Sequence, residues 1–239
     1  DQSVQIAQNY PVKIINHNEN KGLAVARNTA IQSTDADILT YIDIDAYSLP
    51  DMHERLLRHY ADPMVCGVGG QGIEARQLTI EDKWRKYHAS QSHGNKRIIG
   101  CEHLFGLCMS YRKTTLLEVG GFDTRFRTNA EDVDIGFRIN AKGGLLVYEP
   151  EAVVNHQRQD GRESLLKAMY FWYYWGFIAR KVNHKHPWRL ALGTLKRLLW
   201  SDTIPDLFNK DRRPLVKLDV EISFRKINAL VDASIFRLK

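Results

Sequence analysis

The chain has 239 residues, 44% of them hydrophobic, with 34 Lys+Arg against 28 Asp+Glu. That length suits one ordinary domain, or one with an appendage, and the composition excludes a disordered chain. Its three cysteines are odd in number and lack C-x-x-C spacing. This argues against a disulfide framework or structural zinc site and fits a reducing compartment. With no long uncharged apolar run and no secretory signal pattern, a cytoplasmic location is expected. The charge is split: residues 1–160 carry 18 Lys+Arg against 21 Asp+Glu, and residues 161–239 carry 16 against 7. Four of the five tryptophans lie in the basic part. An acidic body with a basic, aromatic tail suggests two jobs.

In chain order, Val12–Ile15 reads as a strand and Asn18–Gly22 as a loop. Leu23–Ser33 reads as a helix with Ala26, Ala30 and Ile31 on one face. Asp37–Asp43 is a mostly apolar strand running into acidic residues, Met52–Tyr60 a helix, and Val65–Gly70 a strand ending in glycines. Ile80–Ala89 and Thr114–Val119 read as helices around a short strand at Met109–Arg112, with Gly120-Gly121 stopping the second. Glu131–Ala141 is a helix, and Leu145–Tyr148 and Ala152–Val154 are strands. This alternation predicts an α/β fold with a mainly parallel sheet flanked by helices, whose ligands gather at strand carboxyl ends. From Ser164 the pattern changes to helices over 165–182, 188–200 and 220–236, separated by Pro187, Pro205 and Pro214.

Four constellations could carry chemistry. Asp43-Ile44-Asp45 follows an apolar strand, and carboxylates two apart on an extended chain point to one side. Such a pair can hold Mg²⁺ or Mn²⁺ together with substrate phosphate, although short acidic pairs are also common on solvated loops. Glu131-Asp132 opens a helix, where acidic residues favour the first turn and where a carboxylate can also serve as a general base. His156 ends a strand; a lone histidine is commonly a surface or satisfied core residue, and imidazole is also a common metal ligand. In Asn20–Asn28, Gly22 frees a loop before a helix and Arg27 offers a donor fork suited to phosphate or a base edge.

Together these segments resemble family 2 glycosyltransferases with the GT-A (Rossmann-like) fold. The resemblance rests on Asn20-Lys-Gly-Leu-Ala-Val-Ala-Arg-Asn28, Tyr41-Ile-Asp-Ile-Asp-Ala46 with Pro50, Gly120-Gly-Phe-Asp123 leading into Glu131-Asp132, and His156, in that order. It covers residues 1–160, expected to form the catalytic domain, and leaves 161–239 as a basic, aromatic-rich helical tail. It implies an inverting, metal-dependent enzyme that moves a sugar from a nucleotide-sugar donor to an acceptor hydroxyl. It implies Asp132 as general base with Glu131 as the fallback, and Asp45 and His156 around Mg²⁺ or Mn²⁺. It further implies Asp43 facing the ribose or donor sugar, Arg27 and Gly22 at the nucleotide pocket, Gly106 bordering the acceptor, and Asp134 and Arg138 in support.

Two departures qualify the resemblance. The family's opening strand and loop, P-x-V-S-V-I-I-P-x-Y-N, and its second strand ending in D-x-G-S-x-D are absent, and Asp1-Gln2-Ser3 matches the tail of the latter. The expectation is therefore a chain lacking its N-terminal first strand and part of the nucleobase pocket. No Q-x-x-R-W follows the base, which favours single addition, in cell-envelope or exopolysaccharide assembly, over polymerisation. In the tail, Leu165–Val182 and the leucines and basic residues from Trp188 to Trp200 fit either packing on the body or a peripheral anionic membrane surface at its inner face, with a glycan or lipid-linked acceptor. No nucleic-acid module is visible, so no nucleic acid is expected as partner. The rivals are a sugar-phosphate nucleotidyltransferase and a degenerate, non-catalytic GT-A scaffold.

Overall fold

The computed structural model describes residues 2–197 and 202–236. Six strands, β1 (Ile38–Ile42), β2 (Ala46–Ser48), β3 (Val65–Glu74), β4 (Ile98–Ile99), β5 (Cys108–Arg112) and β6 (Leu145–His156), form one sheet. Its order is β1-β5-β3-β6-β2, and β4 pairs with β6. The α/β expectation holds, but the sheet is mixed rather than mainly parallel. Only β3 and β6 run parallel, and the other pairs are antiparallel. Alternating strands and helices dictate that helices cover the sheet; they do not dictate which strands become neighbours.

The helices are α1 (Ser3–Ala7), α2 (Leu23–Gln32), α3 (Met52–Leu57), α4 (Ile80–His88), α5 (Lys113–Glu118), α6 (Glu131–Ala141), α7 (Arg162–Val182), α8 (Pro187–Arg197), α9 (Thr203–Phe208) and α10 (Val216–Ile235). Side chains alternate across the sheet, as the strand period of two requires. Leu39, Met109, Tyr111 and Leu146 face α2, α5 and α6 through Ala24, Ile31, Leu116, Ile135 and Ile139. Val65, Val68, Cys108, Val147 and Val154 face α3 through Met52 and Leu56. The buried stripe of α2 is Ala24, Arg27 and Ile31 rather than Ala26, Ala30 and Ile31. It therefore carries a charged residue inward.

Val12–Ile15 forms no strand. The segment lies beside α2 instead, where Lys13 Nζ donates to the Ser33 carbonyl at 2.9 Å and His17 Nε2 meets Thr29 Oγ1 at 3.0 Å. The two strands expected after Gly144 are one long β6. Its register against β3 shifts between Gly69 and Gln71, which accommodates Glu149-Pro150-Glu151 without breaking the strand. Pro205 does not separate helices but sits in the first turn of α9, where a missing N–H costs little. Pro187 likewise opens α8, and α10 begins at Val216, one turn before the expected start. The Leu198–Trp200 end of the expected helix lies outside the described residues.

The aromatic run of α7 packs inward. Trp172 joins Trp84, Leu165, Met169, Leu218 and Ile222. Tyr174, Trp175 and Phe177 join Phe126, Ala130, Ile178, Ala179 and Ala233. A buried polar network pins this helical layer to α4. His88 Nε2 meets Asp206 Oδ2 at 2.8 Å and lies 3.6 Å from Asp219 Oδ1, while Trp84 Nε1–H donates to Asp219. Ligand atoms of His88, Asp206 and Asp219 lie within 4.8 Å of one another. Arg212, 3.2 Å from Asp206, and Lys226, 3.8 Å from Asp202, supply charge compensation there. Burial alone would lower the His88 pKa, but Asp202, Asp219 and Asp206 outweigh it and raise it above 6.5. A raised histidine pKa adds stability that is full below the unfolded value and is lost as pH climbs through the folded one. The difference in thermal unfolding temperature between the wild type and His88→Gln should therefore be larger at pH 6 than at pH 8.5. A pH-independent difference in circular-dichroism melts would contradict this account.

Candidate active site

Strand register assembles the first half of the site. β1 ends at Ile42, and Asp43–Asp45 form a turn in which the Ala46 N–H donates to the Asp43 carbonyl at 3.0 Å. The D-x-D segment is thus a turn, not an extended strand end, and its carboxylates take different partners. β2 pairs with β6 so that Ala46 lies opposite His156, which brings Asp45 Oδ2 to 3.4 Å from His156 Nε2. The parallel register of β3 and β6 sets Glu74 opposite the same histidine, and both Glu74 oxygens lie 3.0 Å from Nδ1. Glu74 and His156 are both buried. With Nδ1–H donating to Glu74, Nε2 presents its lone pair toward Asp45.

Arg27 organises the second half. It is buried on α2. Its guanidinium pairs with Glu131, donates to the Gly106 carbonyl at 3.1 Å and lies 3.4 Å from Asp43 Oδ1. The rings of Tyr41 and Phe122 flank it at 5.9 and 5.6 Å. Burial pushes the Asp43 carboxyl up from its usual value, while Arg27 opposes that shift. Burial likewise pushes Glu131 up to about 7, aided by neighbouring Asp132 and opposed by Arg27. Gly22 lies outside this cluster. Its φ of 90° makes the turn into α2, and a Cβ there would meet the Arg127 carbonyl at 2.9 Å. It serves the fold by letting the 125–129 loop close on the helix start.

Ala130, at φ 69°, turns the chain sharply into α6. Glu131 and Asp132, successive residues of a helix, diverge. Glu131 goes to Arg27, whereas Asp132 Oδ2 accepts the Gly106 N–H at 2.9 Å. Gly106 thus holds Arg27 through its carbonyl and Asp132 through its N–H. A Cβ at this position would lie 2.8 Å from Arg27 Nη2. Asp134 and Arg138 form an ion pair along α6, and Asn183, just after α7, donates to Asp134 at 2.8 Å, a structural tie.

Two cavities meet at Asp132. One, of about 400 Å³, is lined by Arg27, Asp43, Glu131, Asp132, His156 and Lys167 among others. The other, of about 330 Å³, is lined by His93, His103, Phe105, Asp132, Trp172 and Arg180 among others. Asp132 lines both and Glu131 only the first. Burial holds His93 below its usual pKa and lowers that of His103 to about 4, so both rings are neutral near pH 7. Glu74, His93, His103 and Arg180 were not foreseen. No local pattern distinguishes them, since their places follow from strand register and from the packing of α7.

Residues 1–120, half of the chain, match glycosyl transferase family 2, and the chain belongs to that family. The pre-mycofactocin glycosyltransferase of Mycobacterium tuberculosis is 28% identical over 188 residues, covering 75% of this chain and 39% of its own length. The glucosyl-dolichyl phosphate glucuronosyltransferase of Haloferax volcanii is 25% identical over 72% of this chain and 59% of its own. The chain thus spans about two fifths and three fifths of these relatives. The fold matches the mannosyltransferase PcManGT of Pyrobaculum calidifontis, solved with GDP-Man and Mn²⁺, at a TM-score of 0.61 and 16% identity over 96% of this chain and 73% of that one. This likeness establishes the GT-A fold.

The buried Arg27–Glu131 pair supports a stability test. Removing one member of a buried pair strands the other charge, and Arg27→Met should cost about 3 kcal/mol, the low end for such pairs because Glu131 readily takes up a proton. Urea denaturation checks this, and a loss below about 1 kcal/mol, the range of exposed pairs, would contradict it.

Proposed function

We propose that the protein transfers a sugar from a nucleotide-sugar donor to an acceptor hydroxyl with inversion, assisted by a divalent cation, with Asp132 as general base. The observation that carries this reading is that Asp132 is the carboxylate common to both cavities. A base there faces the donor on one side and the acceptor hydroxyl on the other. The Gly106 N–H fixes one carboxylate oxygen and orients the group for proton uptake. Glu131 is the poorer base, because it is buried against Arg27 and faces only the first cavity. Its role is to hold Arg27, whose guanidinium borders the donor beside Asp43.

Asp45 and His156 would hold the cation. The donor set fits one: an imidazole nitrogen locked by Glu74 beside a partly exposed carboxylate leaves room for diphosphate oxygens. A nitrogen ligand favours Mn²⁺ over Mg²⁺, and the Mn²⁺ in the PcManGT complex supports that choice. Such an ion supplies Lewis-acid stabilisation of the departing nucleoside diphosphate. The likeness to the glucosyl-dolichyl phosphate glucuronosyltransferase of Haloferax volcanii supports a lipid-linked glycan as acceptor. No helix among the described residues is long and apolar enough to cross a membrane. On α8, however, Trp188, Leu192 and Leu195 are exposed beside Arg189 and Lys196, which supports peripheral contact with an anionic membrane.

Asp132→Asn should lower sugar transfer by about 10²–10⁴-fold while calorimetry finds donor binding retained. Transfer near the wild-type rate would remove Asp132 as the base. Glu74→Gln should weaken Mn²⁺ binding by about 10–100-fold, measured by electron paramagnetic resonance titration. Unchanged affinity would dissociate His156 from the cation. In flotation assays the protein should bind anionic vesicles in a salt-sensitive way, and equal recovery with neutral vesicles would remove the electrostatic contribution.

A further inference from the structure

Building on the reading of Asp132 as the base, we propose that the acceptor carries a phosphate or diphosphate group, received by Arg180, Lys185 and Arg189 in a third cavity beyond the acceptor pocket. This cavity has a volume of about 620 Å³ and is walled by Arg180, Lys185, Arg189 and Arg197, with Glu102 as the one carboxylate in its lining. It shares Tyr173, Arg180, Leu190 and Arg197 with the aromatic cavity that holds Asp132. The two cavities are therefore neighbours, with Arg180 in the wall between the side that holds the base and the side that holds Lys185 and Arg189.

Three of these cations have no carboxylate partner. Among the described residues, Arg180, Lys185 and Arg189 form no ion pair with a carboxylate. The Arg180 guanidinium donates only to the Gly176 carbonyl, at 3.3 Å, and lies 5.5 Å from the centre of the Phe137 ring. Lys185 Nζ converges on that same ring, also at 5.5 Å. The C-terminal turn of α7 enforces this proximity, because the Lys185 N–H donates to the Arg180 carbonyl at 2.8 Å. Like charges gathered around one cavity repel unless an anion joins them. Burial lowers the Arg180 pKa from its usual value, with Glu102 the opposing influence. The histidines of the aromatic stretch are neutral, so the positive charge begins at Arg180, away from the reacting hydroxyl.

The chemistry of the set selects the ligand. Arg197 already lies 3.7 Å from Asp202, and the three remaining cations against Glu102 leave an excess that a single carboxylate would not neutralise, whereas a phosphate or diphosphate would. Guanidinium forks meet phosphate oxygens two at a time. Aromatic walls between base and cations suit a sugar ring, which places the anion on the far side of the acceptor sugar from its reacting hydroxyl. The same phosphate chemistry could belong to a lipid carrier or to a soluble phosphorylated glycan.

Lys185→Ala/Arg189→Ala tests the proposal in the full chain, since both side chains are exposed and neither holds the fold through an ion pair. Calorimetry with inorganic pyrophosphate in metal-free buffer should find at least about tenfold weaker binding in the double variant, the loss expected for two charge-assisted contacts. Unchanged affinity overturns the proposal. UDP, GDP and dTDP, each titrated with Mn²⁺, monitor the donor side. If none binds the wild type, the glycosyltransferase reading fails, whereas nucleotide binding with a pyrophosphate affinity insensitive to the substitutions sinks the anion site alone. Two further arms separate the sources. Capture by phosphatidylcholine vesicles doped with polyprenyl diphosphate, lost in the variant, identifies a lipid carrier. Variant-sensitive binding of glucose 1-phosphate without vesicle capture identifies a soluble glycan. Phosphatidylglycerol vesicles report the α8 surface, and a variant that loses their capture while keeping its pyrophosphate affinity overturns a defined site.

Discussion

The buried contact between Arg27 and Glu131 is the constraint around which the site is built. It joins α2 to the first turn of α6, and through Asp43 and Gly106 it reaches the end of β1 and the segment before β5. Removing a guanidinium from water is costly, and a carboxylate, a carbonyl and two aromatic faces compensate it together. That arrangement leaves Asp132, the next residue along, free to face the meeting point of two cavities. Adjacent carboxylates acquire different environments because successive residues of a helix point in different directions, and Ala130 sets how α6 enters the site.

The mixed sheet performs a comparable service for the residues proposed to hold the cation. β6 has β3 on one side and β2 on the other, so a single position, His156, is flanked by residues distant in sequence. Glu74 comes from a parallel partner and Asp45 from an antiparallel one. A slip of one residue in either register would send the side chains to opposite faces. The shift in the β3–β6 register lies several residues before His156, so pairing at the site end is regular.

The C-terminal helices are part of the site rather than an attachment to it. Lys167 and Trp172 of α7 wall the first cavity, and Arg180 joins the second to the third. The aromatic residues whose composition suits a membrane interface are largely engaged in packing α7 against the body. The exposed apolar face belongs to α8 instead. The local acidic and basic halves of the chain thus face one another across the proposed substrate path, carboxylates at the donor end and cations at the far end.

Much of this was legible in the sequence. Glu131–Ala141 is a helix over the expected range, since Gly143 and Gly144 follow a clear apolar period, and Ile38–Ile42 lies within the mostly apolar Asp37–Asp43 segment expected as a strand. The ordered blocks from Asn20 to His156 also identified the family, because each preserves a short-range pattern of residue types. Short-range patterns do not carry strand order. The one parallel pair, the loss of Val12–Ile15 as a strand and the inward turn of Arg27 all follow from which surfaces meet. Glu74 is a lone acid after glycines, and Arg180 a basic residue at a helix end; nothing adjacent marks either. Local propensity and residue chemistry determined the elements and the candidate carboxylates. Tertiary packing alone decided which charges were taken out of water together, and burial with a particular partner is what separates Glu131 from Asp132.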